Sequence, residues 1–201
     1  MSTEKRNIIL ESTLELVKEH GFQGFPISEV AKRGGIAVGT IYHYFEGKDE
    51  LIRELYYYVV DMIYQTALEK DDGSKSFKER YYDLWSNLVN LYCEKPSILR
   101  FFDLYNNSSY YSPEAHTEES KFYKWLFGFF AEGLQSGSLR SISKELLAII
   151  VLGNILTSAK VKINHSFKFK NKNIDLGQLA GIVWEGIKSQ DNDHKDKSPL
   201  I

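Results

Sequence analysis

Apolar residues recur at three- and four-residue spacing along most of this chain, the periodicity of helices that pack by one face. Ile27, Val30 and Ala31 form one such stripe, and Ile41 with Phe45 forms a second, shorter one. From Lys48 to about Glu69, Leu51, Leu55, Val59 and Met62 predict a long helix, ended by Asp71-Asp72-Gly73-Ser74. Ser76 followed by Glu79 predicts a capping box, opening a helix on which Phe77, Tyr81, Trp85, Leu88 and Tyr92 keep helical spacing. Pro96, and Pro113 after Ser112, each suit a helix's first turn, with a loop at Asn106–Tyr111. Further helices are predicted over Lys121–Gln135, from Ser143 to about Asn164, and over Asp175–Ser189. Strand-like alternation is confined to Phe167-Lys168-Phe169-Lys170, read as a frayed helix end, and no internal repeat is visible. The pattern is that of an all-α protein.

The segment Gly24–Lys48, GFPISEVAKRGGIAVGTIYHYFEGK, departs from plain amphipathic helix. A short helix at Ile27–Arg33 runs into Gly34-Gly35, which can take the positive φ that ends a helix and turns the chain sharply. A second short helix, Val38–Phe45, points Ile41 and Phe45 inward and leaves hydroxyls, an imidazole and phenols on its other faces. Two turns of helix with that exposed chemistry fit a helix-turn-helix whose second helix enters the major groove.

The run Arg6–Leu55 resembles the amino-terminal domain of the tetracycline-repressor (TetR) family of bacterial transcription regulators. The resemblance rests on Gly21-Phe22, Val30-Ala31, Gly35-Ile36, Gly39-Thr40-Ile41-Tyr42-His43-Tyr44-Phe45 and Lys48, all at the family's spacing. It implies that Thr40 and Tyr42 hold phosphates through their hydroxyls and that Lys48, opening the next helix, holds another with help from the helix dipole. Val38, Gly39, His43 and Tyr44 match positions facing bases or the groove wall. Val38 and Gly39 offer no polar side-chain group, so readout falls on His43, Tyr44 and Ser28. Pro26 and Ala37 stand where the family commonly has hydroxyl caps, removing a phosphate contact at the first and about 1 kcal/mol of capping at the second. Plain structural roles stand beside these: Phe45 as a core ring, Ser28 as a helix-start residue, His43 as a solvated histidine.

Charge complicates the picture. The chain's net charge is −2, and its first fifty residues are mildly acidic, so non-specific DNA affinity, which comes from counterion release, is expected to be weak unless Lys5, Arg6, Lys32, Arg33 and Lys48 share one face. The amino terminus lacks a signal-peptide pattern, and the apolar run Leu146–Ala159 is shorter than the roughly 20 residues of a membrane span. A single cysteine, Cys93, excludes an intramolecular disulfide. The expectation is a soluble cytoplasmic protein with a DNA-binding domain over 1–47, a helical ligand-binding and dimerisation domain over 48–190, and a polar tail over 191–201.

Sixteen aromatic residues fall between Phe77 and Phe130, against twelve in all remaining positions. Rings in that number can line a space between helices. In the TetR family the central helices enclose the inducer, which implies a wall of Trp85, Tyr92, Phe102, Tyr105, Tyr123, Phe127 and Phe130, with tyrosine hydroxyls, Asn87 or Asp103 orienting a small apolar or aromatic ligand. The last two helices resemble the family's dimer interface, with Ile149, Leu152, Leu156, Leu176, Gly177, Ala180, Gly181 and Val183 as its residues. His20, His43, His116, His165 and His194 are scattered, and no phosphate-binding loop or nucleophile–base pair is apparent; no catalytic residue, metal or cofactor is expected. The function implied is a homodimeric, ligand-responsive repressor on a double-stranded DNA operator. The alternative is a constitutive DNA-binding protein that recruits a protein partner.

Overall fold

The helical periodicity appears in the computed structural model as nine α-helices among the described residues, 2–69, 71–111, 120–163 and 175–190. They are α1 (Ser2–His20), α2 (Ile27–Gly34), α3 (Val38–Tyr44), α4 (Lys48–Leu68), α5 (Phe77–Glu94), α6 (Pro96–Tyr105), α7 (Lys121–Gln135), α8 (Lys144–Ile163) and α9 (Leu176–Ile187). The predicted Ser112-Pro113 helix start, the Phe167–Lys170 stretch and the tail over 191–201 lie outside the described residues.

Local chemistry sets the boundaries. Both halves of the capping box form at α5: Ser76 Oγ accepts from the Glu79 amide, and Glu79 returns a carboxylate to the Ser76 amide. Donation from the Ser76 hydroxyl, and after it from the Ser76 amide, holds the Glu79 carboxyl below its ordinary pKa. Pro96 occupies the first turn of α6. Asp175 caps α9 through the Gly177 amide. The two glycines of the α2–α3 turn do different work. Gly35 takes φ 62°, the left-handed cap that ends α2. Gly34 is needed for space, since a Cβ there would meet Ile8 and Ser12 at 3.1 Å. Pro26 precedes the first turn of α2 as its N-cap, and neither it nor Ala37 supplies a side-chain cap bond.

α1 packs on α2, α4 and α6, while α5 packs on α4, α6, α8 and α9. α4 therefore belongs to both the helix-turn-helix end and the helical body. Its buried residues, among them Leu51, Ile52, Leu55, Tyr56 and Val59, continue one core from end to end. At the far end Arg80 of α5 is buried, donates to Asp71 at 2.7 Å and to Glu132 of α7, and lies 5.2 Å from the Phe129 ring centroid. A backbone bridge between Leu139 and Lys188 ties the end of α9 to the α7–α8 connection.

α8 extends beyond the uncharged run Leu146–Ala159 at both ends, and over Lys144–Ile163 its length and composition alone suffice to cross a membrane. Its Leu147, Val151, Ile155 and Ala159 are buried in the body of the protein.

Candidate nucleic-acid interface and aromatic cluster

Seven residues form α3, and burial divides them sharply. Ile41 is 1 % exposed and Phe45, just beyond the helix, 2 %, so one edge is anchored in the core. Val38 and Tyr42 are exposed at 40 % and 55 %, unusual values for large apolar side chains. Gly39 and His43 are also exposed, and Thr40 and Tyr44 are half-buried. The His43 and Tyr44 rings meet edge to face at 5.3 Å, so the two move as one surface. Ser28 is exposed on α2.

The basic residues near this face are largely engaged within the chain. Arg33 makes two bonds to Glu19, at 2.8 and 2.6 Å, which lowers the carboxyl pKa of Glu19 and raises that of the guanidinium. Arg6 pairs with Glu54, and Lys32 stands 3.9 Å from Glu29. The ammonium of Lys48 donates to the Phe25 carbonyl and lies 4.2 Å from the centroid of the Phe25 ring, where burial depresses its pKa. It pins the start of α4 to the connection between α1 and α2, a role the sequence did not suggest. Three of the five cations grouped in the sequence as a possible basic face thus have carboxylate partners of their own.

A second concentration of chemistry lies where α4, α6 and α7 meet. Tyr56 stacks on Tyr105 with centroids 4.7 Å apart and meets Phe102 edge to face at 6.3 Å. Tyr123 packs on Phe127 at 6.1 Å. Burial first, and neighbouring phenols second, push the pKa values of Tyr56, Tyr92 and Tyr123 above the ordinary phenol value: Tyr123, Tyr105 and Tyr111 oppose ionisation of Tyr56, and Tyr123 opposes that of Tyr92. Tyr92, Phe102, Tyr105, Tyr123 and Phe127 are thus drawn into one region. Tyr56 joins them although the sequence pattern marked only its aliphatic neighbours on α4.

Other expected wall residues go elsewhere. The Trp85 indole donates to Asn154 of α8 at 2.8 Å, and the side chain borders an open groove of about 410 Å³ with Asp175, Leu176 and Gly177. Phe130 is fully buried against Phe129. Asp103 is exposed and ion-paired to Lys160 at 2.7 Å, outside the cluster. Asn87 is buried, and its amide nitrogen has no hydrogen-bond partner among the described residues. It stands seven residues, two turns, beyond Arg80 on the face of α5 that reaches α7.

On α8 and α9 the exposed apolar side chains are Leu146 (45 %), Ile149 (70 %), Ile150 (37 %) and Ile182 (67 %). Leu152, Leu156, Leu176 and Val183 are half-buried. One residue expected on that face, Ala180, turns inward instead. Ala180 is 1 % exposed, with its carbonyl accepting from Tyr81, and a Cβ on Gly181 would meet the Tyr82 hydroxyl at 3.7 Å. The small size of Ala180 suits the close approach of α9 to α5 inside the chain, whereas a methyl at Gly181 would make only ordinary contact.

Residues 9–55 match the family model of bacterial regulatory proteins of the tetR family, and residues 76–188 match that of the tetracyclin repressor-like C-terminal domain. This chain belongs to the TetR family. An uncharacterized HTH-type transcriptional regulator of Haemophilus influenzae is 29 % identical over 192 residues, covering 92 % of this chain and 97 % of the relative. A TetR family transcription regulator from Marinobacter aquaeolei shares the fold with a TM-score of 0.80 at 24 % identity, over 92 % of this chain and 96 % of that one. The transcriptional regulator FadR of Bacillus subtilis, solved in complex with stearoyl-CoA, shares it with a TM-score of 0.67 at 22 % identity, over 89 % and 95 %. The helix-turn-helix is therefore that of a transcription regulator.

Proposed function

We propose that this TetR-family regulator is a homodimeric repressor that binds a palindromic operator and is released from it by an apolar or acyl-bearing effector. In this reading residues 1–47 are the reading head and 48–190 the effector-binding and dimerising body. The observation that carries it is the exposure of Val38, Tyr42 and His43 on a seven-residue helix whose opposite edge is locked in the core. Such a helix presents chemistry outward with little freedom to move, which suits base-edge and phosphate contacts. Thr40, Tyr42 and Tyr44 supply hydroxyls, Val38 and Gly39 allow close approach, and Ser28 adds a contact from α2. Lys48 contributes through the start of α4 while held on Phe25.

The exposed apolar stripe Leu146, Ile149 and Ile150, continued by Ile182, supports a dimer through α8 and α9, since burying it against a second copy removes apolar surface from water. The phenol-rich cluster and the unpartnered Asn87 amide support an effector with an apolar body and a hydrogen-bond acceptor. The stearoyl-CoA held by FadR makes long-chain acyl thioesters the first class to try.

Retention of genomic fragments on the immobilised protein tests the regulator reading. The expected outcome is capture of DNA adjoining its own gene in the presence of excess random duplex, and elution by stearoyl-CoA or a member of an apolar panel. Capture no better than that of random DNA would contradict operator binding, and capture that no compound in the panel reverses would remove the effector.

A further inference from the structure

Two consecutive residues after α6 face opposite parts of the molecule. Tyr110 belongs to the reading head: its ring lies 5.4 Å from that of Phe22, and its hydroxyl donates to Asp49 Oδ1 at 2.7 Å. It therefore touches both the α1–α2 connection and the first turn of α4, one residue from Lys48. Tyr111 belongs to the aromatic cluster: its ring meets Tyr105 at 6.3 Å, and Tyr105 stacks on Tyr56. The pair sits in a tight turn, with the Tyr110 amide donating to Ser108 Oγ at 3.2 Å and the Tyr111 amide to the Ser108 carbonyl at 3.3 Å. Their Cα atoms are fixed about 3.8 Å apart by the planar peptide. A backbone shift at one is therefore passed to the other.

We propose that Tyr110 and Tyr111 form a rocker between the aromatic cluster and the reading head. Tyr110 is a positioning residue: through Asp49 and Phe22 it sets the angle at which α4 carries α1–α3. Tyr111 senses the packing of Tyr105 and Tyr56, and a molecule entering the cluster displaces it, loosening the hold of Tyr110 on Asp49. This rests on the reading that the cluster accepts an effector, and it assigns the route by which occupancy would reach the DNA-binding end. α6 reinforces the route, since Phe101 packs on Phe22 at 5.8 Å while the adjacent Phe102 faces Tyr56. Coupling of this kind requires that the two states differ in contacts at both ends, and the Tyr110–Asp49 bond is the contact at the reading-head end.

A double-mutant cycle on the full chain, read as affinity for the captured operator fragment without effector, tests this. Tyr111→Leu, at an exposed site that leaves the fold intact, is expected to change operator Kd by about fivefold in the parent protein. In a Tyr110→Phe background, which keeps the ring and removes the hydroxyl, the same change is expected to fall below about 1.5-fold. Asp49→Asn, which retains a carbonyl acceptor, preserves the coupling, and Asp49→Ala abolishes it. Amide hydrogen exchange at the start of α4 gives an independent reading without DNA: Tyr111→Leu speeds exchange there only while Tyr110 keeps its hydroxyl. Equal effects of Tyr111→Leu in both backgrounds, or no effect in either, overturn the rocker. Since no effector enters the cycle, that failure is distinct from a silent ligand screen, which would remove the effector and leave the cycle unchanged.

Discussion

Arg80 shows how a single residue can hold two segments of the body together. Its guanidinium is buried and bonded to Asp71, itself largely buried, and to the more exposed Glu132, with the Phe129 ring beneath it. Arg80→Leu leaves the Asp71 carboxylate without its partner, and removal of one member of a buried pair costs about 3 kcal/mol. Chemical denaturation should read that loss, and double replacement with Asp71→Leu should recover part of it. Nothing in the spacing of α5 singled out this arginine, because its partners lie 9 and 52 residues away in sequence. Ile41 and Phe45 were legible, since an apolar pair at i and i+4 in an otherwise polar helix has few uses besides anchoring. Tyr56 was not, because a tyrosine beside Leu55 fits the aliphatic stripe or the opposite wall equally well.

Helix starts carried their own chemistry and were readable: the Ser76–Glu79 box and Pro96 in a first turn depend only on neighbours within three residues. Which neighbour a helix face meets depends on the whole fold. Ala180 is buried where α9 lies close to Tyr81 of α5, whereas Ile149 and Ile182 stand out of the chain. Small residues record a close approach without naming the partner. Ile149→Glu combined with Ile182→Glu, both far out in solvent, should leave helicity intact and convert a dimer to a monomer in light scattering; a dimer that survives would place the interface elsewhere. Within α7 the opposite holds. A Cβ on Gly133 would lie 2.5 Å from the Phe77 ring and 2.7 Å from Leu139. Gly133→Ala overpacks that contact and is expected to cost about 2 kcal/mol, a fall of several degrees in the thermal midpoint.

Across the whole molecule, one core runs from the reading head through α4 into the body, so unfolding of either end exposes the shared helix. Buried phenols set its alkaline limit. Tyr56, Tyr81, Tyr92 and Tyr123 all have pKa values raised above 10.0 by burial. A group whose folded pKa is raised contributes stability that is present below the unfolded value and lost as pH climbs from there towards the folded one. The protein should therefore lose stability above about pH 10, with the last fraction of tyrosine ionisation at 295 nm following loss of helicity; complete ionisation of the phenols at pH 10 with the helices intact would contradict the burial. The charge distribution acts on function at the same scale. With Arg6, Lys32 and Arg33 paired to the chain's own carboxylates, random DNA gains little from counterion release, and in the reading proposed above binding rests on the fit of α3. The most direct test is an anisotropy titration of the captured operator fragment at physiological salt. The protein should bind it about a thousandfold more tightly than random duplex, as two protomers per fragment, and Tyr42→Ala should weaken it by about tenfold. Equal affinity for random duplex, or an operator affinity untouched by Tyr42→Ala and His43→Ala together, would contradict the account.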